Sequence, residues 1–184
     1  DILNTIEGAP TAHYERTLTL EVWYPAVLAT GQTPGGEYRV ITRDPAVTAA
    51  LHGQAVRDAQ PLATGGPFPL VIISHGYPGN RYLLSHLGEN LASKGFVAVS
   101  IDHKDSTYDD QKAFASTLYN RPFDQLFVLN EMARLGRAGS GSFLSGRLDA
   151  DRTGIVGYSM GGYGVVNVIG GGYSTASQMF PSAP

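Results

Sequence analysis

The 184-residue sequence contains no cysteine, which excludes disulfide bridges, thiolate metal sites and a cysteine nucleophile. That absence leaves the redox compartment open. Long apolar runs are also missing: none approaches the ~18 to 20 residues that a membrane-spanning helix requires, and the longest are strand-sized. There is no basic run either. Lys and Arg are scattered through a chain of formal net charge −3 and pI near 5.9, so nothing attracts nucleic acid or an acidic membrane broadly. One further absence bears directly on chemistry. From Met160 to the last residue, Pro184, there is no His, Asp or Glu, and the last charged residue is Arg152.

What is present suits one globular domain with a substantial core: 42% of residues are hydrophobic and 16% are charged. The 23 Gly and 11 Pro fall mostly between apolar stretches, as an α/β protein with many tight turns requires. The sequence starts at Asp1 rather than Met, which fits a processed mature chain or one numbered from an internal residue. A removed secretory signal would favour a secreted or periplasmic location; the sequence leaves the compartment unknown.

Residues 17–24 alternate apolar and polar side chains and stop at Pro25, predicting a half-exposed antiparallel strand. Residues 38–42 predict an edge strand, and Asp44-Pro45, as N-cap and first helical residue, predicts a short helix to about Leu51. A Gly/Pro-rich linker at 61–68 leads to residues 69–74, a continuous apolar run of the kind found in a central parallel strand. Leu83, Leu84, Leu87, Leu91 and Ala92 then recur at helical spacing, with Gly95 closing the helix. Residues 96–102 predict a second buried strand, which completes a βαβ unit with a right-handed crossover. Two further helices, crossover or cap helices, are expected at 109–119 and 122–137, the second with Phe123, Leu126, Phe127, Leu129 and Met132 on one broad face. Asp149-Ala150-Asp151 lacks the later ligands of a calcium loop and is expected to be a turn before a strand at 153–158.

That last strand runs into Gly157-Tyr158-Ser159-Met160-Gly161, which has the G-x-S-x-G form of a nucleophile elbow. The strand turns so sharply into the following helix that only small residues fit two places either side of the serine, and Gly157 and Gly161 meet that demand. Ser159 is therefore the candidate nucleophile. Ser74-His75-Gly76-Tyr77 follows the first central strand, where Gly76 permits a turn that presents a backbone N–H. The Tyr77 and Met160 N–H groups are the candidate oxyanion donors. The bland alternative for that loop is an ordinary strand-to-helix turn. His75 is expected to brace its loop rather than act as base, and His13, His52 and His86 have no partners at metal spacing. Tyr108, Tyr119, Phe123 and Phe127 are expected to be core or cap packing, with some able to line an acyl pocket.

These stretches resemble the α/β-hydrolase superfamily, in particular the platelet-activating-factor acetylhydrolases and dienelactone-hydrolase-like esterases. The resemblance rests on Val22 to Ala26, on Ile73-Ser74-His75-Gly76 with the helix end Leu91 to Phe96, on Asp102-His103-Lys104-Asp105, and on Gly157 to Gly162. Cutinase-like polyesterases share the elbow and the His-Gly-Tyr loop, and the Asp-His-Lys-Asp segment tilts the likeness toward the acetylhydrolase branch. The resemblance implies a mostly parallel sheet flanked by helices and cofactor-free, metal-free hydrolysis of carboxylic esters through an acyl-enzyme. It also implies that a catalytic acid and histidine follow the nucleophile, and residues 1–184 hold neither after Ser159.

The chain is thus expected to be a single incomplete hydrolase domain, its sheet left with an unpaired apolar edge at strand 153–158. Three arrangements would supply the missing base: a second polypeptide of a processed enzyme, the continuation of a longer chain, or an in-chain pair, His103 with Asp105. The expectation is the first, with His103 bracing a loop. A different class of function, a non-catalytic hydrolase-fold protein that binds a ligand or a partner, is the alternative.

Overall fold

The computed structural model describes residues 15–111 and 114–172. In chain order the strands are β1 (Thr19–Trp23), β2 (Ala26–Val27), β3 (Gly36–Ile41), β4 (Thr48–Gly53), β5 (Gln60–Pro61), β6 (Phe68–Ser74), β7 (Val97–Asp102) and β8 (Leu148–Gly157). The helices are α1 (Ser85–Ser93), α2 (Phe114–Gly136) and α3 (Met160–Val166). The main sheet has the order β1-β7-β6-β8, with β1 antiparallel to β7 and the other two pairings parallel. His13 lies outside the described residues.

The two central strands are apolar on both faces because both faces are covered. Leu70, Ile72, Val97, Val99 and Ile101 pack with Val128 and Met132 of α2 on one side. Val71, Ile73 and Ala98 meet Trp23, Tyr38 and Val40 on the other, with Leu87 and Leu91 of α1 against them. α1 ends as its sequence requires: Gly95 takes φ +88°, and Phe96 N–H returns to Leu91 C=O at 3.2 Å.

Four expectations about local structure are corrected. Asp44-Pro45 opens no helix. Ala46 N–H donates to Asp44 Oδ1 at 3.0 Å and Val47 N–H to Asp44 C=O at 2.8 Å, closing a turn that pairs β4 against β3. Asp followed by Pro suits a β-turn as well as a helix start, and the hairpin prevails because it buries Tyr38 and Val40.

Where two helices were expected at 109–119 and 122–137, Phe114–Gly136 form the single helix α2, with Pro122 inside it. The expected apolar face is packed only in part: Met132 is buried and Leu129 packs against the core, but the two phenylalanines are not. Phe123 and Phe127 are 49% and 57% exposed, whereas Thr117, Asn120, Arg121, Asp124 and Gln125 are buried. Periodicity alone could not show that a buried helix face would be polar. Finally, Asp149-Ala150-Asp151 is no separate turn: it belongs to β8, where the pairing with β6 jumps from Pro69 opposite Asp149 to Leu70 opposite Thr153.

β8 is the outer strand of the sheet among the described residues, as expected, and Val156 on it is exposed. Other large apolar side chains stand out beyond it, Val166 at 55% and Ile169 at 78% exposure. No described helix is long and apolar enough to cross a membrane.

Gly88 of α1 lies flat on the indole, and a Cβ there would sit 2.4 Å from Trp23 Cε3. Gly88→Ala should therefore destabilise the fold by about 1–2 kcal/mol, since the overpacking penalty exceeds the ~1 kcal/mol that Ala gains as a helix residue. A lower urea midpoint at unchanged m-value is the expected result. An unchanged midpoint would mean that α1 moves off the ring freely.

Candidate active site

β8 stops at Gly157, Tyr158 follows, and α3 begins at Met160, so Ser159 sits alone on the turn between strand and helix. It adopts φ +53°, ψ −114°, a conformation that non-glycine residues occupy only under constraint from their surroundings. The constraint is visible in the flanking glycines. A Cβ on Gly157 would lie 2.4 Å from Gly161 C, and one on Gly161 would lie 2.0 Å from Ser74 O. Tyr158 N–H also donates to Ser74 C=O at 3.0 Å, which fastens the elbow to the end of β6. Ser159 is exposed, and no described side chain hydrogen-bonds its hydroxyl.

The loop after β6 stands against the elbow. A Cβ on Gly76 would lie 3.2 Å from Ser159 Cβ, so the His75-Gly76-Tyr77 backbone lies directly alongside the serine. Tyr77 is half-buried, its ring edge-on to Phe114 at 5.0 Å, and its N–H makes no backbone hydrogen bond. Met160, first in α3, has no acceptor within its helix. The structure thus brings together the loops of all three predicted site residues, Ser159, Tyr77 and Met160.

The chain does contain a hydrogen-bonded Ser-His-Asp relay, but it is not at the elbow. Ser74 Oγ lies 2.8 Å from His103 Nε2, and His103 Nδ1 lies 2.9 Å from Asp124 Oδ2. Ser74 and His103 are 0% and 1% exposed, so no substrate reaches that hydroxyl. Arg16 completes the relay with Nε 2.8 Å from Asp124 Oδ1 and Nη1 3.0 Å from Asp105 Oδ2. The guanidinium offsets the charge of Asp124, whose carboxyl is pushed up by burial and drawn back down by Arg16.

His103 is therefore neutral, donating through Nδ1 and accepting at Nε2, and burial holds it well below its ordinary value. With both nitrogens engaged it cannot serve Ser159, and its carboxylate partner is Asp124, not Asp105. His75 is a brace as well. Its Nδ1 donates to Gly76 C=O at 2.6 Å and its Nε2 accepts from His103 N–H at 3.4 Å, with burial again lowering its pKa.

Sequence reasoning overlooked the role of α2. Arg121 Nη1 donates to His75 C=O at 2.9 Å, Thr117 Oγ1 to Asp105 C=O at 3.1 Å, and Gln125 Nε2 to Gly161 C=O at 3.0 Å. One helix thus holds the loops after β6, β7 and β8. Burial draws the Arg121 guanidinium down to about 9, which leaves it charged at neutral pH. The available signal was a polar i, i+3, i+4 pattern, Arg121, Asp124 and Gln125, on one face of the helix.

A concavity of about 600 Å³ is remote from these groups. It lies between β1, α1 and residues 54–61, and none of its lining residues belongs to the elbow or to the loop after β6. Ser159 instead stands on open surface. No group of three or more His, Asp or Glu side chains converges as metal ligands among the described residues.

A family model described as PETase, PET hydrolase-like, matches residues 29–181. The chain is similar to a platelet-activating factor acetylhydrolase of Cavia porcellus, 42% identical over 65 residues, which are 33% of this chain and 15% of the relative. It is similar to Cutinase est1 of Thermobifida alba, 31% identical over 98 residues, 53% of this chain and 29% of the relative. Among solved structures, the ferulic acid esterase from Streptomyces cinnamoneus superposes with a TM-score of 0.60 at 28% identity, over 84% of this chain and 48% of that one. The α/β-hydrolase fold expected from the sequence is thus present in part: the chain spans less than half the length of each of these relatives.

The neutral, buried histidines make folding sensitive to acid. Unfolded, His75 and His103 protonate near 6.5, while folded they resist, so below that pH the unfolded state binds more protons. Their contribution is intact above 6.5 and is lost as pH falls through it, by ~1.4 kcal/mol per pH unit for each histidine. Asp124, with a raised pKa, acts with the opposite sign, beginning from its ordinary 3.8. Urea unfolding should give equal stabilities at about pH 7.5 and about pH 7, and a fall of ~2 kcal/mol or more by about pH 5.5. A flat profile across that range would contradict two neutral buried imidazoles.

Proposed function

Because the chain belongs to the PET hydrolase-like family, we propose that it is the nucleophile-bearing part of a carboxylic-ester hydrolase that works through an acyl-enzyme on Ser159. The observation that carries this reading is the backbone of Ser159: an exposed serine held at φ +53° between two glycines that admit no Cβ. Such strain is retained where it serves a purpose, and here it lifts the hydroxyl clear of the sheet. The alternative of a non-catalytic binding protein gives that strain no role.

In this mechanism Ser159 Oγ bonds to the ester carbonyl carbon while its proton passes to a histidine. The carbonyl oxygen becomes an oxyanion and accepts hydrogen bonds from Tyr77 N–H and Met160 N–H. Collapse of the tetrahedral intermediate breaks the bond to the alcohol, which takes the proton from the histidine. Water, deprotonated by the same histidine, then releases the acid and restores the serine. In this reading the histidine and its carboxylate come from outside residues 1–184, on a second polypeptide of a processed enzyme or on the continuation of this chain. Three facts support that source: no described side chain engages Ser159, His75 and His103 are committed elsewhere, and β8 lacks an outer neighbour among the described residues. The second chain would add strands at that edge and cover Val156, Val166 and Ile169. No metal or cofactor takes part in these steps.

Ser159→Ala in the purified enzyme should lower turnover of a short-chain p-nitrophenyl ester by at least about 10⁴-fold, and a fluorophosphonate probe should label the unsubstituted serine stoichiometrically. Undiminished turnover in the variant would sink the proposal. The second polypeptide is tested separately. Denaturing electrophoresis with intact mass should find a partner chain containing His and Asp, whereas activity from a single polypeptide, whether these 184 residues or a longer chain, would refute it.

A further inference from the structure

The N-terminal half of α2 buries Ser116, Thr117, Asn120, Arg121, Asp124 and Gln125, a composition that packing alone does not favour. Apolar residues of similar volume would fill the same space without desolvating a guanidinium and a carboxylate. The bonds these residues make are specific. Arg121 Nη1 reaches His75 C=O at 2.9 Å and Nη2 reaches Ser106 Oγ, while Gln125 Nε2 reaches Gly161 C=O at 3.0 Å. Arg121 and Gln125 are one helical turn apart, so α2 sets the distance between their tips. The backbone groups they hold lie next to the two proposed oxyanion donors, His75 C=O two residues before Tyr77 and Gly161 C=O one residue after Met160.

α3 is also shaped to meet them. A Cβ on Gly164 would lie 2.6 Å from Gln125 Nε2 and 2.7 Å from Arg121 Cγ, so only glycine lets the helix approach this closely. The Gln125 amide orientation follows from its partner. A carbonyl oxygen can only accept, so the NH2 group faces Gly161, and Oε1 is left buried without a partner. An unpaired buried acceptor is tolerated where the donor opposite it performs a task. We infer that Arg121 and Gln125 are positioning residues that together fix the separation of the Tyr77 and Met160 N–H groups, and hence the fit of the oxyanion hole to the tetrahedral intermediate. This inference rests on the ester-hydrolase reading of Ser159. Neither side chain touches substrate; each acts through the backbone it holds.

The test uses the whole enzyme that contains this chain. Gln125→Glu keeps the shape and replaces the donor with an acceptor, and Gln125→Met keeps the volume and removes hydrogen bonding. Each should lower kcat for p-nitrophenyl butyrate by about 10- to 100-fold, counted per serine titrated to completion with a fluorophosphonate, while KM stays within about twofold. Inhibition by phenylboronic acid, which forms a tetrahedral adduct on the serine, should weaken by the same factor as kcat/KM. A structural role alone would lower the number of titratable sites and leave both per-site values unchanged, and that result overturns the inference. If neither Gln125 variant folds, Arg121→Lys, which keeps the charge and loses the fork, decides by the same readouts. A lower per-site kcat with weaker boronate binding supports the inference, and unsubstituted values overturn it. Ser159→Ala is measured alongside. Turnover surviving in it rejects the ester-hydrolase reading itself, whereas an inactive Ser159→Ala with Gln125 variants of normal per-site kcat rejects only the positioning role.

Discussion

The structure depends on a buried polar clasp, the set of hydrogen bonds by which α2 grips the ends of three parallel strands. Its centre is Asp124, which takes two bonds from Arg16 and one from His103, while His103 in turn accepts from Ser74. Burying a carboxylate, a guanidinium and two imidazoles is unfavourable unless each is paired, and here the pairing spans residues more than 100 apart in sequence. Apolar contacts hold α2 on the sheet through Val128 and Met132 near its C-terminal end. The polar contacts near its N-terminal end determine where the loops lie.

Function follows from where those loops lie. In a parallel sheet the C-terminal strand ends gather the loops that carry chemistry, and loops are the least constrained parts of a fold. Here the loops after β6 and β8 approach closely enough that Gly76 and Gly161 have no room for a Cβ without displacing a neighbour, and the turn itself leaves none at Gly157. That crowding makes the strain at Ser159 stable. The serine does not choose φ +53°; the crossing of α3 over the end of β6 imposes it, and the clasp keeps α3 there.

The buried Ser74-His103-Asp124 relay shows why residue types in hydrogen-bonding order do not by themselves make a catalytic centre. Its chemistry resembles that of a triad, yet its serine is sealed from solvent and its histidine is neutral because burial penalises the charged form. The exposed serine and the bonded histidine are different parts of one architecture. The relay stiffens the ends of β6 and β7 beneath the loop that borders Ser159, and that loop is fastened from the other side by Arg121.

The sequence alone determined β6, α1, β7 and the sharp turn at Ser159, because these elements are set by local rules: apolar runs, helical periodicity, a C-capping glycine and the small residues a sharp turn needs. It also shows that residues 160–184 hold no acid or histidine. Where local rules were ambiguous, tertiary structure decided. Asp44-Pro45 fits a turn or a helix start, and only the burial of Tyr38 and Val40 selects the hairpin. Phe123 and Phe127 look like core residues, and only the demand of three strand-end loops for hydrogen-bond donors explains why α2 turns its polar face inward. Such partners lie far apart along the chain and leave no periodic trace. The tight turn at Ser159 was legible because its geometry is local; the clasp beside it was not, because its bonds are long-range.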